Sequence, residues 1–175
     1  MKKINSIIIG SGVIGSYLAK LLITKKHNVI VTSRKIKKIY INYNKLNIEK
    51  KVSFEKLDVL KNKEILKVIK KYNPNNIFYF SGQSSLTKSI NLKKITNESN
   101  YVGAKKFLEV LYKFKIKSKF YKANSGYIFE QKNGLINLGS AFSKSTNPYI
   151  QSQIKAYKEV KKFRKKGVNC SSLVF

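Results

Sequence analysis

The chain has 175 residues, of which 42% are hydrophobic, so it is long and apolar enough to bury a core within one domain. No apolar run approaches the roughly 20 residues that cross a bilayer, which argues against a membrane protein and makes a cytoplasmic location the default expectation. The formal net charge is +29, but the lysines are spread over the whole length, and only Arg34 and Arg164 are arginine. Without an aromatic and basic cluster, this charge favours a solvated lysine-rich surface over a specific nucleic-acid interface.

Strand and helix patterns alternate along the chain, which predicts an α/β fold with a parallel sheet and helices on both faces. Short apolar runs predict strands at residues 4–9, 28–32, 52–57, 77–80, 118–123 and 169–175. Helical spacing predicts helices around 14–22, 65–72, 101–111 and 149–166. The first helix is indicated by Ile14, Tyr17, Leu18, Leu21 and Leu22. The last has a start signal, since Asn147 can cap it and Pro148 suits its first position.

Three glycines with the spacing G-x-G-x-x-G separate the first strand from the first helix. Gly10 permits a tight turn, Gly12 lets the backbone approach a pyrophosphate, and Gly15 permits close packing of helix on strand. The helix N-terminus, beginning at Val13 and Ile14, offers unpaired N–H groups and the positive end of a dipole to the phosphates. The pattern predicts a Rossmann-type dinucleotide-binding domain with a doubly wound sheet.

The end of the second strand indicates which dinucleotide would bind. NAD-specific sites usually carry an acidic side chain there, which holds the ribose hydroxyls. Here the residues from Val31 to Lys35 include no acid, and Arg34 offers a planar guanidinium that can hold a 2′-phosphate. The sequence therefore favours NADP over NAD.

With these features the sequence resembles the extended short-chain dehydrogenase/reductases, the NAD-dependent epimerase/dehydratase family, and within them the GDP-mannose 4,6-dehydratases. The resemblance covers nearly the whole chain. Besides the glycine turn and the basic pair Arg34-Lys35, it rests on Leu57-Asp58-Val59, Phe80 to Ser85, Phe120 to Ser125 and Asn147-Pro148-Tyr149. It implies further cofactor contacts, which are Asp58 and Val59 at the adenine and Ser81, Gly82 and Gln83 along the fourth strand.

The resemblance also implies residues that oxidise a sugar 4-hydroxyl, remove water across C5 and C6, and return the hydride. In that scheme Tyr149 is the base and Ser125 is the hydrogen-bond partner of the 4-hydroxyl. Two positions depart from the family's pattern: Gln153 replaces the lysine of Y-x-x-x-K, and Tyr127 replaces a glutamate. Tyr149 and Gln153 are also expected to contact the cofactor. Glutamine can still bond a ribose but carries no charge, so Gln153→Lys in a full-length version is expected to raise activity.

Other residues that could carry chemistry have simpler explanations. Two further Y-x-x-x-K matches, beginning at Tyr101 and Tyr157, are expected by chance in a chain so rich in lysine. His27 is the single histidine, and no metal-binding cluster is expected around it.

The resemblance implies one NAD(P)-binding domain over residues 1–175. In the family a lobe that binds the sugar nucleotide follows, and this chain ends at Phe175. We expect it to be a fragment, with loss of the substrate lobe as the alternative. Three functions stay open: an NADP-dependent nucleotide-sugar dehydratase or related epimerase or reductase, a dinucleotide-binding protein without turnover, and, least favoured, a nucleic-acid binder. The expected partner is a nucleotide sugar, with no membrane and no specific nucleic acid, and a homo-oligomer is compatible with the sequence.

Overall fold

Six parallel strands form one sheet in the computed structural model, which describes residues 3–131, 135–137 and 139–175. The strands are β1 Asn5–Ile9, β2 Asn28–Ser33, β3 Ser53–Lys56, β4 Asn76–Tyr79, β5 Lys119–Asn124 and β6 Cys170–Val174. Their order is β3-β2-β1-β4-β5-β6, so the chain starts in the middle, winds to one edge and then to the other. Each strand lies within one residue of its predicted position at both ends. The doubly wound α/β prediction is confirmed.

Helices cover both faces of this sheet. They are α1 Val13–Thr24, α2 Ile41–Lys45, α3 Asn62–Tyr72, α4 Leu86–Asn91, α5 Lys93–Asn97, α6 Gly103–Lys113 and α7 Pro148–Lys165. A π-helical turn, Glu98–Val102, joins α5 to α6, and short 3₁₀ turns occur at Glu49–Lys51 and Gly126–Ile128. In the described part of the chain, no helix combines the length and the apolar character needed to cross a membrane.

Alternate residues of the central strands face opposite cores. Ile7 and Ile9 belong to the cluster that packs under α3, α6 and α7, whereas Ile8 packs with Ala19 and Leu22 of α1. A strand points successive side chains to opposite faces, so both sets are buried and the strand is an unbroken apolar run.

Helix α1 is present as predicted, but its buried face differs from the apolar set that predicted it. Ile14, Tyr17 and Leu21 are 61%, 62% and 55% exposed. The face that touches the sheet includes Gly15 and Ala19. Small residues on this face let the helix lie close to the strands, because larger side chains there would hold the two elements apart.

Candidate functional site

Two pockets lie side by side where the strands β1, β2, β4 and β5 end. The outer pocket, of about 390 Å³, is lined by Gly10, Ser11, Arg34, Asp58, Val59 and Leu60, among others. The inner pocket, of about 420 Å³, is lined by Val13, Lys122, Asn124, Ser125, Tyr149 and Gln153, among others. Five residues line both: Gly12, Phe80, Ser81, Gly82 and Gln83. Ligands of open parallel sheets bind at this edge, at the point where the winding direction reverses.

The glycine turn between β1 and α1 is shaped for a ligand. Gly10 needs to be glycine for the protein itself, since its φ is +108° and an added Cβ would meet Ser81 N at 3.0 Å. Gly12 does not: its φ is −78°, and no atom lies within 4 Å of an added Cβ. The open space in front of Gly12 faces the N-terminus of α1, which is where a pyrophosphate binds in such folds. This turn therefore fits a dinucleotide.

The predicted adenine-side residues come together in the outer pocket. Arg34 follows β2 directly and is exposed, so its guanidinium can reach a phosphate group there. Asp58 accepts a hydrogen bond from Leu60 N at 3.0 Å through its carboxylate, which fixes the loop after β3. Val59 is buried beside it, with 6% exposure.

The segment after β4 forms the wall shared by the two pockets, and it is held by hydrogen bonds. Gln83 N donates to Ser99 Oγ at 3.3 Å, and the Gln83 side-chain amide donates to Ser85 O at 2.8 Å. The buried Asn100 side chain donates to Gln83 O at 3.0 Å and to Ser152 Oγ on α7 at 3.1 Å. Asn100 thereby ties the wall to the helix that carries Tyr149.

Helix α7 places Tyr149 and Gln153 one turn apart in the inner pocket. Asn147 caps the helix as predicted, with its side-chain oxygen accepting from Tyr149 N at 2.9 Å, and Pro148 is its first residue. Tyr149 is half-buried and Gln153 is buried, with 6% exposure. Ser125, at the end of β5, lines the same pocket.

Tyr127 lies apart from these residues. It occupies the 3₁₀ turn after β5, where its backbone N–H donates to Ser125 Oγ at 3.3 Å. Its side chain is 56% exposed, and it does not line either pocket. Tyr157 also lies apart, packed edge-on against the rings of Phe129 and Phe142.

Lys122 is a site residue that the sequence patterns did not identify. It lies in β5, is 2% exposed, and points toward α7, on the same face of the strand as the buried Phe120 and Asn124. Its ammonium donates to Gln153 Oε1 at 3.2 Å and to the carbonyl of Ala123. A charged residue inside a central strand is the signal that could have revealed it, but lysine is so common here that the signal carried little weight.

The surroundings of Lys122 are polar but contain few charges. Asn124 donates from Nδ2 to Gln153 O at 2.9 Å and to Gln153 Oε1 at 3.2 Å. The Lys122 ammonium also lies over the ring of Tyr79, 5.6 Å from its centroid. Burial lowers the pKa of Lys122 to about 7 and raises the pKa of the Tyr79 hydroxyl above its ordinary range. No Asp or Glu lines the inner pocket in the part of the chain described.

Similarity to solved structures supports this arrangement of the fold. UDP-glucose 4-epimerase from Brucella ovis, solved in complex with NAD, superposes with a TM-score of 0.83 at 18% identity, over 98% of this chain and 51% of the epimerase. The dTDP-glucose 4,6-dehydratase from Streptomyces venezuelae, solved with NAD and TYD bound, has a TM-score of 0.83 at 15% identity, over 98% and 55%. L-threonine dehydrogenase from Clostridium difficile has a TM-score of 0.83 at 22% identity, over 100% and 54%.

This chain spans about half the length of each of these solved proteins. No curated protein sequence matches it. The sequence model of the NAD dependent epimerase/dehydratase family matches residues 7–175, which include both pockets and every strand except the first two residues of β1. The chain therefore belongs to the NAD-dependent epimerase/dehydratase family.

Proposed function

We propose that this chain is the dinucleotide-binding part of an NADP-dependent enzyme that oxidises C4 of a nucleotide sugar, as 4,6-dehydratases and 4-epimerases do. The observation that carries the proposal is the pair of joined pockets. Gly12 and the N-terminus of α1 lie at the outer pocket, while Ser125 and Tyr149 line the inner one. A dinucleotide laid across the shared wall would have its phosphates at the turn and its second nucleoside beside Tyr149.

NADP is proposed over NAD because of Arg34. The guanidinium follows β2 directly at the outer pocket, where a 2′-phosphate on the adenine ribose would lie. The epimerase and the dehydratase named above were solved with NAD. The proposed preference for NADP therefore rests on the residues of this chain alone. Arginine binds phosphate through two parallel hydrogen bonds, which distinguishes it from the many lysines.

Tyr149 and Ser125 are proposed to act on the sugar hydroxyl. The bound NADP would supply the hydride acceptor. Tyr149, as its phenolate, takes the hydroxyl proton, and Ser125 hydrogen-bonds the same oxygen, so that the hydroxyl is oriented as its proton leaves. Gln153, one helical turn after Tyr149, offers its amide to the ribose beside this centre.

GDP-mannose is the first substrate to test, because the sequence resembles the GDP-mannose 4,6-dehydratases. A second candidate is a 4-epimerase or reductase, and the position of Tyr127 favours it. Removal of water across C5 and C6 needs a base, and the exposed phenol of Tyr127 is a poor substitute for a carboxylate. Mass separates the two outcomes, since dehydration removes one water and epimerisation leaves the mass unchanged.

The test is single-turnover reduction of bound NADP by excess nucleotide sugar. We expect slow reduction by the native chain and a loss of about 10²-fold or more in Tyr149→Phe, the usual contribution of an acid–base group. NADPH affinity should change far less than this rate in that variant, because phenylalanine keeps the ring that lines the pocket. Tyr157→Phe is the matched control on the same helix and should keep the native rate, since Tyr157 packs outside both pockets.

Two results would contradict this account of the chemistry. A native rate in Tyr149→Phe would remove Tyr149 from the reaction. Intact NADPH binding with no reduction by GDP-mannose, UDP-glucose or dTDP-glucose would favour a dinucleotide-binding protein without turnover.

A further inference from the structure

The inner pocket contains a buried lysine on a strand. In the Y-x-x-x-K pattern that the family resemblance implies, a lysine sits one helical turn after the tyrosine. Here that position on α7 is Gln153, while the ammonium of Lys122 reaches the same place from β5. The distance from Lys122 Nζ to Gln153 Oε1 is 3.2 Å, so the two side chains form one hydrogen-bonded unit.

The hydrogen bonds of Gln153 determine which of its atoms faces the pocket. Its Oε1 accepts from Lys122 Nζ and from Asn124 Nδ2, both at 3.2 Å. Two donors on one oxygen fix the orientation of the amide. The amide nitrogen is therefore the atom that Gln153 offers to a ligand in the inner pocket, which it lines.

The ligand that suits this arrangement carries hydroxyl oxygens. A side-chain amide nitrogen donates, so it recognises an acceptor such as a hydroxyl or a ring oxygen. A lysine ammonium polarises the amide it bonds, because hydrogen bonds in a chain reinforce one another. Asn124 also lines this pocket, and its Oδ1 is buried without a partner among the described residues.

We propose that Lys122 is a positioning residue which supplies the missing positive charge from β5 and acts through Gln153 on the ribose at the inner pocket. This inference rests on the proposed function, since it needs a dinucleotide with its second ribose in that pocket. It also changes the expectation for Gln153→Lys. A second ammonium placed beside Lys122 would repel the first, so the single substitution should weaken binding and not raise activity.

The experiment moves the charge from β5 to α7. Lys122→Met removes the ammonium at similar length, and Lys122→Met/Gln153→Lys returns it on α7. Lys119→Met is the control, since Lys119 is an exposed lysine of the same strand. Affinity is measured by fluorescence titration with NADPH and with 2′,5′-ADP, a fragment that has the adenine-side phosphates but no second ribose.

We expect Lys122→Met to weaken NADPH binding by about tenfold, the effect of one hydrogen bond to a charged group. Binding of 2′,5′-ADP should not change, because the fragment does not reach the inner pocket. The double variant should recover most of the lost affinity, and Lys119→Met should behave as the native chain. Gln153→Met, which keeps Lys122 but removes the amide, should show the same loss for NADPH alone.

Three outcomes would overturn the inference while leaving the proposed function in place. They are native NADPH affinity in folded Lys122→Met, an equal loss for 2′,5′-ADP, and no recovery in the double variant. If Lys122→Met does not fold, the affinities of Gln153→Met for NADPH and for 2′,5′-ADP test the inference in the same way. A native chain that binds no dinucleotide would instead overturn the proposed function, and the inference with it.

Discussion

Lys122 is held in the protein interior against the cost of removing an ammonium from water. Its contacts are the oxygens of Gln153 and Ala123 and the ring face of Tyr79. An unpaired buried charge is costly, and in proteins such a group shifts its pKa toward the neutral form. The lowered pKa of Lys122, about 7, is this effect, and it makes the stability of the chain depend on pH.

The free energy of unfolding is expected to rise with pH because of Lys122. Its pKa is about 7 when folded and near 10.5 otherwise, so between these values the unfolded state binds more protons. Each pKa unit corresponds to about 1.4 kcal/mol. Lys122→Met, which removes the penalty, should therefore be more stable than the native chain at pH 7 and should lose that advantage toward about pH 10. Urea unfolding at both pH values measures the difference.

The other titratable groups near Lys122 are Tyr79 on β4 and Tyr149 on α7, and no carboxylate of the described residues lines this pocket. Lys119→Met is again the exposed control, and its stability relative to the native chain should not vary with pH in this way. If the extra stability of Lys122→Met relative to the native chain were the same at pH 7 and at about pH 10, Lys122 would not be a buried charge.

Residue type decided which site residues could be predicted. Gly10, Gly12 and Gly15 stand out because glycine is uncommon and their spacing is fixed, and Arg34 stands out because the chain has only two arginines. Lys122 could not be distinguished among 37 basic residues. Its role depends on contacts with Gln153, which lies 31 positions away, and no local pattern encodes such a contact.

The strand–turn–helix unit of β1 and α1 shows how one element serves both packing and binding. Gly15 packs against the turn, where an added Cβ would meet Gly10 O at 2.8 Å and Ile8 Cγ2 at 3.2 Å. Gly12 faces open space within the pockets. The same motif therefore contains two glycines required by the fold, Gly10 and Gly15, and one, Gly12, that only a ligand would require.

Alanine at Gly12 and alanine at Gly15 should separate the effect on binding from the effect on folding. Gly12→Ala should keep the native melting temperature and weaken NADPH binding at least about tenfold, because the methyl group occupies the pyrophosphate space. Gly15→Ala should lower the free energy of unfolding by about 1–3 kcal/mol, the usual cost of overpacking. Thermal melts and NADPH titration of both variants measure this. Native NADPH affinity in Gly12→Ala would mean that no pyrophosphate lies there.

Strands were more predictable than helices in this chain. The central strands β1 and β2 are buried on both faces, so their apolar runs mark them clearly. The helices α2, α4 and α5 were not predicted, because they are five or six residues long and carry no sustained apolar period. The exposed face of α1 was mistaken for a core face, since small residues make the contact with the sheet.

The whole molecule combines a family fold with an unusual charge. Its ion pairs in the described residues join glutamates to exposed lysines, and exposed pairs contribute little to stability. The net charge of +29 attracts phosphates in general, an attraction that salt weakens. Specific recognition must therefore be measured at physiological ionic strength.

Fold and family could be predicted from the sequence, because alternating strands and helices and a glycine turn have few structural solutions. The substrate could not be predicted in the same way. One fold serves different chemistries, and the solved neighbours include both a nucleotide-sugar epimerase and an amino-acid dehydrogenase.

Calorimetric titration of the native chain with NADPH and with NADH tests the central claim most directly. Native protein should bind NADPH at one site and more tightly than NADH. Arg34→Gln should lose about tenfold in NADPH affinity and nothing for NADH, the expected effect of one charge-assisted phosphate contact, while Lys35→Gln should lose little. Equal affinity for the two dinucleotides, an equal loss in Lys35→Gln, or no saturable binding would contradict an NADP site at these pockets.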